Sequence, residues 1–124
     1  MKALVVDDSM TARILLCHVL RDLGFEVDEA PSGSSALQCL ALPALPDLIL
    51  LDWNMPDLSG LEVLQAIRKE PRLSDCRVLM VTSETETPMM SWALEEGADE
   101  YVMKPISPAM IRDKLMLVGL LPSA

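Results

Sequence analysis

Positive charge is scarce in this chain. Ten Lys and Arg stand against nineteen Asp and Glu over 124 residues, leaving a formal net charge of −9. Nucleic acids and anionic membrane surfaces are recognised by basic faces, so the balance argues against both as partners. Cysteine is sparse as well. Cys17, Cys39 and Cys76 are odd in number, irregular in spacing and set in apolar runs. That pattern is neither a disulfide framework nor a zinc site; it predicts small buried hydrophobes in a reducing compartment. The single histidine, His18, lies in an apolar-periodic segment and cannot form a zinc site alone. Long apolar runs are missing too. The opening stretch Ala3-Leu4-Val5-Val6 meets two aspartates, which ends any signal-peptide core, and nothing approaches the ~18 residues of a membrane helix. A cytoplasmic protein with no membrane insertion is expected.

What is present is a chain that can fold. Hydrophobic residues make up 51% and charged residues 23%, which excludes intrinsic disorder, and the length suits one domain over residues 1–124. Short β-branched or apolar runs alternate with helical periods. Strands are predicted at Ala3–Val6, Phe25–Glu29, Leu48–Leu51, Arg77–Val81 and Glu100–Met103. Helices are predicted after the Ser9 cap to Leu23, over Ser34–Leu42, from the Ser59-x-x-Glu62 capping box to Pro71, from Thr87-Pro88 to Glu96, and from Ser107-Pro108 to about Leu120. Strand-helix repeated five times means βαβ crossovers. The fold class is therefore α/β, a five-stranded parallel sheet doubly wound by helices on both faces.

Ligands bind such sheets beyond the carboxyl ends of the strands. Strand 1 ends in Asp7-Asp8, strand 3 in Asp52, strand 4 in Thr82 and strand 5 in Lys104-Pro105. Singly, each has an ordinary reading as a helix cap, a loop acid, a strand-end hydroxyl or a solvated lysine. Jointly they supply the groups that metal-assisted phosphoryl transfer needs. Carboxylates ~4 Å apart repel by on the order of 4 kcal/mol per pair at an effective dielectric near 20. A hard cation such as Mg²⁺ relieves that repulsion with oxygen ligands. An aspartate can then attack phosphorus, with a lysine and a hydroxyl to stabilise the transferred group.

At these residues the chain resembles a response-regulator receiver domain. The resemblance rests on Asp7-Asp8, Asp52 within Asp-Trp-Asn-Met-Pro, Gly60, Thr82-Ser83, Tyr101 and Lys104-Pro105, and it covers the whole chain. Asp-Trp-Asn-Met-Pro and Glu84 bring it nearest to the free-standing chemotaxis type. The resemblance implies the flavodoxin-like strand order 2-1-3-4-5. It implies Asp52 as phosphoacceptor and Asp7, Asp8, Asp52 and the Asn54 carbonyl as Mg²⁺ ligands. Lys104 would pair with the phosphoryl group, Thr82 would swing to it, and Tyr101 would move inward behind it. Ser83 would leave room for the phosphate, and Asn54 and Glu84 would tune its lifetime. The Lys104-Pro105 peptide would be cis. The implied donor is a histidine kinase or histidine phosphotransfer domain, docking near Met10, Arg13 and Ile14 and at Pro105-Ile106.

The implied output is a downstream protein target on the face of helix 4, strand 5 and helix 5. Helix 4 carries Met89, Met90, Trp92 and Leu94, more apolar residues than one buried stripe takes, so Met90, Trp92 and Leu94 are expected to contribute, with Tyr101, to an exposed partner surface. No output domain follows Leu121-Pro122-Ser123-Ala124, which fits a protein acting alone or a receiver excised from a larger regulator. Such a protein is a signalling switch, catalysing only its own phosphorylation and dephosphorylation, or a phosphate sink for a kinase. A phosphohydrolase of the haloacid dehalogenase type also uses an aspartate and Mg²⁺, but it needs an acid where this chain has Asn54. A constitutive adaptor would not need the intact set Asp7, Asp8, Asp52, Thr82 and Lys104.

Overall fold

Five short strands follow one another in the chain, and each is succeeded by a helix. A computed structural model describes the backbone of residues 1–83 and 87–122, and the side chains of those residues apart from 87–90. The elements are β1 (Lys2–Val6), α1 (Met10–Asp22), β2 (Glu26–Ala30), α2 (Gly33–Leu40), β3 (Leu48–Asp52), α3 (Gly60–Lys69), β4 (Arg77–Thr82), α4 (Thr87–Glu95), β5 (Glu100–Met103) and α5 (Pro108–Leu117). A 3-10 turn at Pro71–Leu73 follows α3. All strand pairs are parallel, in the order β2-β1-β3-β4-β5, as expected from the resemblance.

Alternation along the buried strands divides the core. Ala3, Val5, Leu48, Leu50, Leu79, Val81 and Val102 face α1 and α5, where Leu16, Leu20, Ile111 and Leu115 cover them. Leu4, Val6, Ile49, Leu51, Val78 and Met80 face the other way, against Ala36 and Leu40 of α2, Leu64 and Ile67 of α3, and Ala93 of α4. A strand buried on both faces reads as a continuous apolar run, and β3 is that strand. Cys17 and Cys76 are buried thiols in these layers, while Cys39 is half-buried. Burial raises both buried thiols, that of Cys76 to about 12, which suits inert packing groups.

Caps set the helix starts. The hydroxyl oxygens of Ser9, Ser32, Ser59 and Ser107 accept from the N–H groups of Ala12, Ser35, Glu62 and Met110. The predicted box at Ser59 is modified: the Ser59 hydroxyl donates to the Glu62 carboxylate at 3.3 Å. All the helix ends shift by a residue or more from expectation, and two cases show why. Ser32 starts α2 one residue earlier than predicted, and the helix ends at Leu40 rather than Leu42, ahead of Pro43. The fifth helix stops at Leu117, not Leu120. Gly119 takes φ +82° there, and its N–H reaches Met116 O while that of Leu120 reaches Leu115 O, a closed Schellman end that turns the chain away.

Candidate functional site

The parallel register brings every strand's carboxyl end to one edge, and that edge gathers the chemistry. Asp7 follows β1 and is fully buried. Its N–H donates to Ala30 O at 3.2 Å, and its Oδ1 accepts from Ser9 N–H at 2.9 Å. Its Oδ2 is buried and takes no hydrogen bond; its nearest compensation is the charge of Lys104 Nζ at 3.3 Å, close enough for an ion pair but not aligned as a hydrogen bond. Asp52, the last residue of β3, is only 5% exposed, and its Oδ1 lies 3.7 Å from the same Nζ. Asp8 is exposed beside them. One carboxylate oxygen from each of Asp7, Asp8 and Asp52 lies within 4.8 Å of the others.

Asp7 and Asp52 share one lysine, with Asp8 beside them. Burial raises the Asp52 carboxyl to about 6; the neighbouring Asp7 and Asp8 push the same way, against Lys104 and the Asn54 backbone N–H that donates to it. Hard oxygen donors, one of them buried with no hydrogen bond, fit a divalent cation of the Mg²⁺ class. The remaining predicted groups surround this cluster. Thr82 ends β4 and is buried, and its carbonyl accepts from Lys104 N–H at 2.8 Å. The Lys104-Pro105 peptide is cis, as expected. Gly60 closes the loop after β3 by donating to Trp53 O at 2.9 Å. A Cβ there would fall on the Asp52 carbonyl oxygen and lie 2.9 Å from Trp53 Cα, so only glycine lets α3 start this close to the site.

Other predicted residues lie further out. Asn54 is exposed in the loop after Asp52. Tyr101 is half-buried on β5, with Lys114 Nζ 5.0 Å from its ring centroid. Met10 is 66% exposed and Ile14 is exposed on α1; Pro105 is exposed and Ile106 half-buried. On α4, Ala93 is buried while Trp92 and Leu94 are exposed, as an overloaded apolar helix requires. Glu84, and the side chains of Met89 and Met90, lie outside the described residues.

Two features escaped the sequence reading. Arg13, expected only as a docking contact, turns inward. Its Nη1 donates to Asp7 O at 2.8 Å and its Nε to Glu29 Oε1 at 3.3 Å, so it pins the peptide between the two acids. Nothing in its spacing distinguishes it from a solvated helical arginine. Trp92 lies with its ring edge-on to Trp53, centroids 6.5 Å apart at 61°. These two tryptophans lie 39 positions apart in the chain, and the sheet order brings them together.

The geometry can be compared with known proteins. Residues 3–116 match the family model described as the response regulator receiver domain. The chain is 39% identical over 116 residues to the chemotaxis protein CheY of Pseudomonas aeruginosa, covering 93% of each. It is 36% identical over 119 residues to chemotaxis protein CheY1 of Helicobacter pylori, covering 95% of this chain and 96% of that one. The solved structure of the chemotaxis response regulator CheY4 of Vibrio cholerae superposes with a TM-score of 0.87 at 35% identity, over 94% of this chain and 97% of that one. Fold, edge cluster and sequence agree: the chain belongs to the response regulator receiver domain family, of the kind found in single-domain chemotaxis proteins.

Proposed function

We propose that Asp52 takes a phosphoryl group from a phosphohistidine, on a histidine kinase or histidine phosphotransfer domain, and that the phosphorylated chain binds a downstream protein target. One observation carries the reading: a buried aspartate at the end of the central strand, facing Asp7 and Asp8 with Lys104 as its ion-pair partner among the described residues. Receivers are signalling switches and bind Mg²⁺ at an acidic pocket; here Asp7, Asp8, Asp52 and the Asn54 carbonyl would hold it. The cation would neutralise the carboxylates and the phosphoryl oxygens.

In the transfer an ionised Asp52 oxygen forms a bond to phosphorus as the P–N bond breaks. The electron pair stays on the departing imidazole, which is protonated. Water later attacks the acyl phosphate, releasing inorganic phosphate and restoring the carboxylate. Lys104 Nζ, within ion-pair distance of both Asp7 and Asp52, is placed to follow the transferred charge. The Thr82 hydroxyl donates to the phosphoryl oxygen, Ser83 leaves space for it, and Asn54 and Glu84 set how fast it hydrolyses. Tyr101, half-buried now, moves further in as Thr82 shifts. That repacking reaches the face of α4, β5 and α5, where Trp92, Leu94 and Met90 meet the target. The donor docks over Met10, Pro105 and Ile106. The setting is the cytoplasm, and nucleic acid has no part in it.

Intact mass after incubation with Mg²⁺ and a small acyl phosphate tests the reading. The expected result is one added phosphoryl group, absent without Mg²⁺ and absent in Asp52→Asn. No addition in the wild type, together with no binding of beryllofluoride, would overturn it.

A further inference from the structure

Asp57 lies five residues beyond Asp52, at the surface of the loop that leads into α3. Its carboxylate turns away from solvent partners and onto the start of α2. Oδ1 accepts from Gly33 N–H at 3.2 Å, and Oδ2 accepts from Ser34 N–H at 3.0 Å and from the Ser34 hydroxyl at 2.6 Å. The Ser34 hydroxyl and N–H, with Leu58 N–H, hold this carboxyl well below the usual carboxylate range. The N–H groups it takes are donors that a helix start leaves unpaired, and the positive end of the helix favours its charge. Space agrees with this fit. A Cβ on Gly33 would come within 2.7 Å of Leu58 Cβ, so the loop and the helix start are in close contact.

The turn that receives Asp57 also reaches the other acid-bearing loop. Residues 31 and 32 join β2 to α2, and Ala30, the last residue of β2, accepts the Asp7 N–H. A chain of contacts thus runs from Asp7, through Ala30 and the turn to Gly33 and Ser34, and on to Asp57. The base of the Asp57 loop is closed by the Trp53-Gly60 hydrogen bond. The loop is held at its base by the sheet, by Met55 and Leu58 packed against the core, and at its tip by the Asp57 carboxylate. Asn54 lies between.

We infer that Asp57 is a positioning residue: its clasp on Gly33 and Ser34 fixes the loop that carries Asn54 against the sheet edge that carries Asp7, Asp8 and Asp52, and so sets the affinity of the site for a divalent cation. The inference rests on the reading that Asp7, Asp8 and Asp52 hold that cation. Partners that orient metal ligands from outside the coordination sphere commonly change affinity by tenfold or more.

Calorimetric titration of MgCl₂ into the full chain tests it, with wild type, Asp57→Ala, Asp57→Asn and Ser34→Ala compared at low salt and at about 0.5 M salt, where exposed charges are screened. Asp57→Ala is expected to weaken Mg²⁺ about tenfold at both salt levels. Ser34→Ala keeps the carboxylate but removes its shortest bond, and is expected to weaken Mg²⁺ by a smaller factor. Amide exchange of residues 53–59 is expected to quicken in both variants without metal. An unchanged Mg²⁺ affinity in Asp57→Ala, with only a lower urea midpoint, would make Asp57 an ordinary helix cap and overturn the inference. Losses confined to the Asp57 variants and abolished by salt would overturn it as well, as a plain charge effect. A wild-type chain that takes no Mg²⁺, or takes it equally well as Asp52→Asn, would sink the underlying reading instead, and the clasp with it.

Discussion

Strand β3 contains two regions with opposite energetics. Leu48, Ile49, Leu50 and Leu51 are wholly buried among aliphatic neighbours on both faces of the sheet. Asp52, the next residue, is nearly as buried, but its neighbours are two other carboxylates and one lysine. Four residues lower the free energy of the fold; the fifth raises it in the absence of a cation, as its upward-shifted carboxyl shows. The floor of the sheet is rigid enough to hold a carboxylate cluster that would otherwise move apart. Stability and chemistry thus sit one residue apart on a single strand, and each can be changed with the other left in place.

The largest expected effect is in the floor. Leu50→Ala empties a site between α1 and α5 and is expected to cost about 3–5 kcal/mol in urea unfolding. Where the variant is still folded, its Mg²⁺ affinity should match the wild type. A parallel loss of affinity would show that the two regions are not separable.

Asp52→Asn works the other way. The Asp52 carboxyl is raised to about 6 from an ordinary value of 3.8, so the folded chain holds a proton that the unfolded chain releases between those values. Metal-free stability from this group is therefore full below about pH 4 and falls as pH rises through 6. Asparagine lacks that fall. The variant is expected to match the wild type near pH 4 and exceed it at pH 7 by at most about 3 kcal/mol, from ~1.4 kcal/mol per pKa unit. Saturating Mg²⁺ should shrink or reverse the difference. A variant less stable at pH 7 without metal would mean that Lys104 already balances the cluster.

The same division governs how much could be read beforehand. The floor was legible because apolar runs and serine caps act locally: the five strands, their parallel pairing and the two-faced core follow from runs such as Leu48–Leu51, while the strand order followed only from the family resemblance. Helix ends were less so, since Leu120 continues the apolar pattern of α5 and only the positive φ of Gly119 stops it. At the edge, Asp7, Asp8, Asp52, Thr82 and Lys104 were legible through their shared position at strand ends, and they do converge. The groups that hold them were not. Arg13 and Asp57 look like surface charges in one dimension, and their partners Asp7 O and Ser34 lie on other elements.

Trp53 stands on the boundary, and the smallest expected effect uses it. Its ring belongs to the apolar cluster under α2, α3 and α4, while its backbone adjoins Asp52. Trp92 obscures it, being 46% exposed and set edge-on against it. Trp92→Phe keeps an aromatic edge in place and is expected to cost under about 1 kcal/mol, since such pairs contribute ~0.5–1.5 kcal/mol beyond their area. The remaining emission should be that of a buried indole, and it should still change on saturation with Mg²⁺. One fluorophore then reports on both regions, the edge by metal titration and the floor by urea unfolding. If the cation binds at Asp52 and only to the folded chain, the gain in unfolding free energy at each Mg²⁺ concentration must equal RT ln(1 + [Mg²⁺]/Kd), with Kd taken from the titration of the same tryptophan. A larger gain would place further cation sites away from Asp52; a smaller one would mean that the acid-rich unfolded chain competes for the metal. Emission that ignores Mg²⁺ altogether would count against binding at this edge.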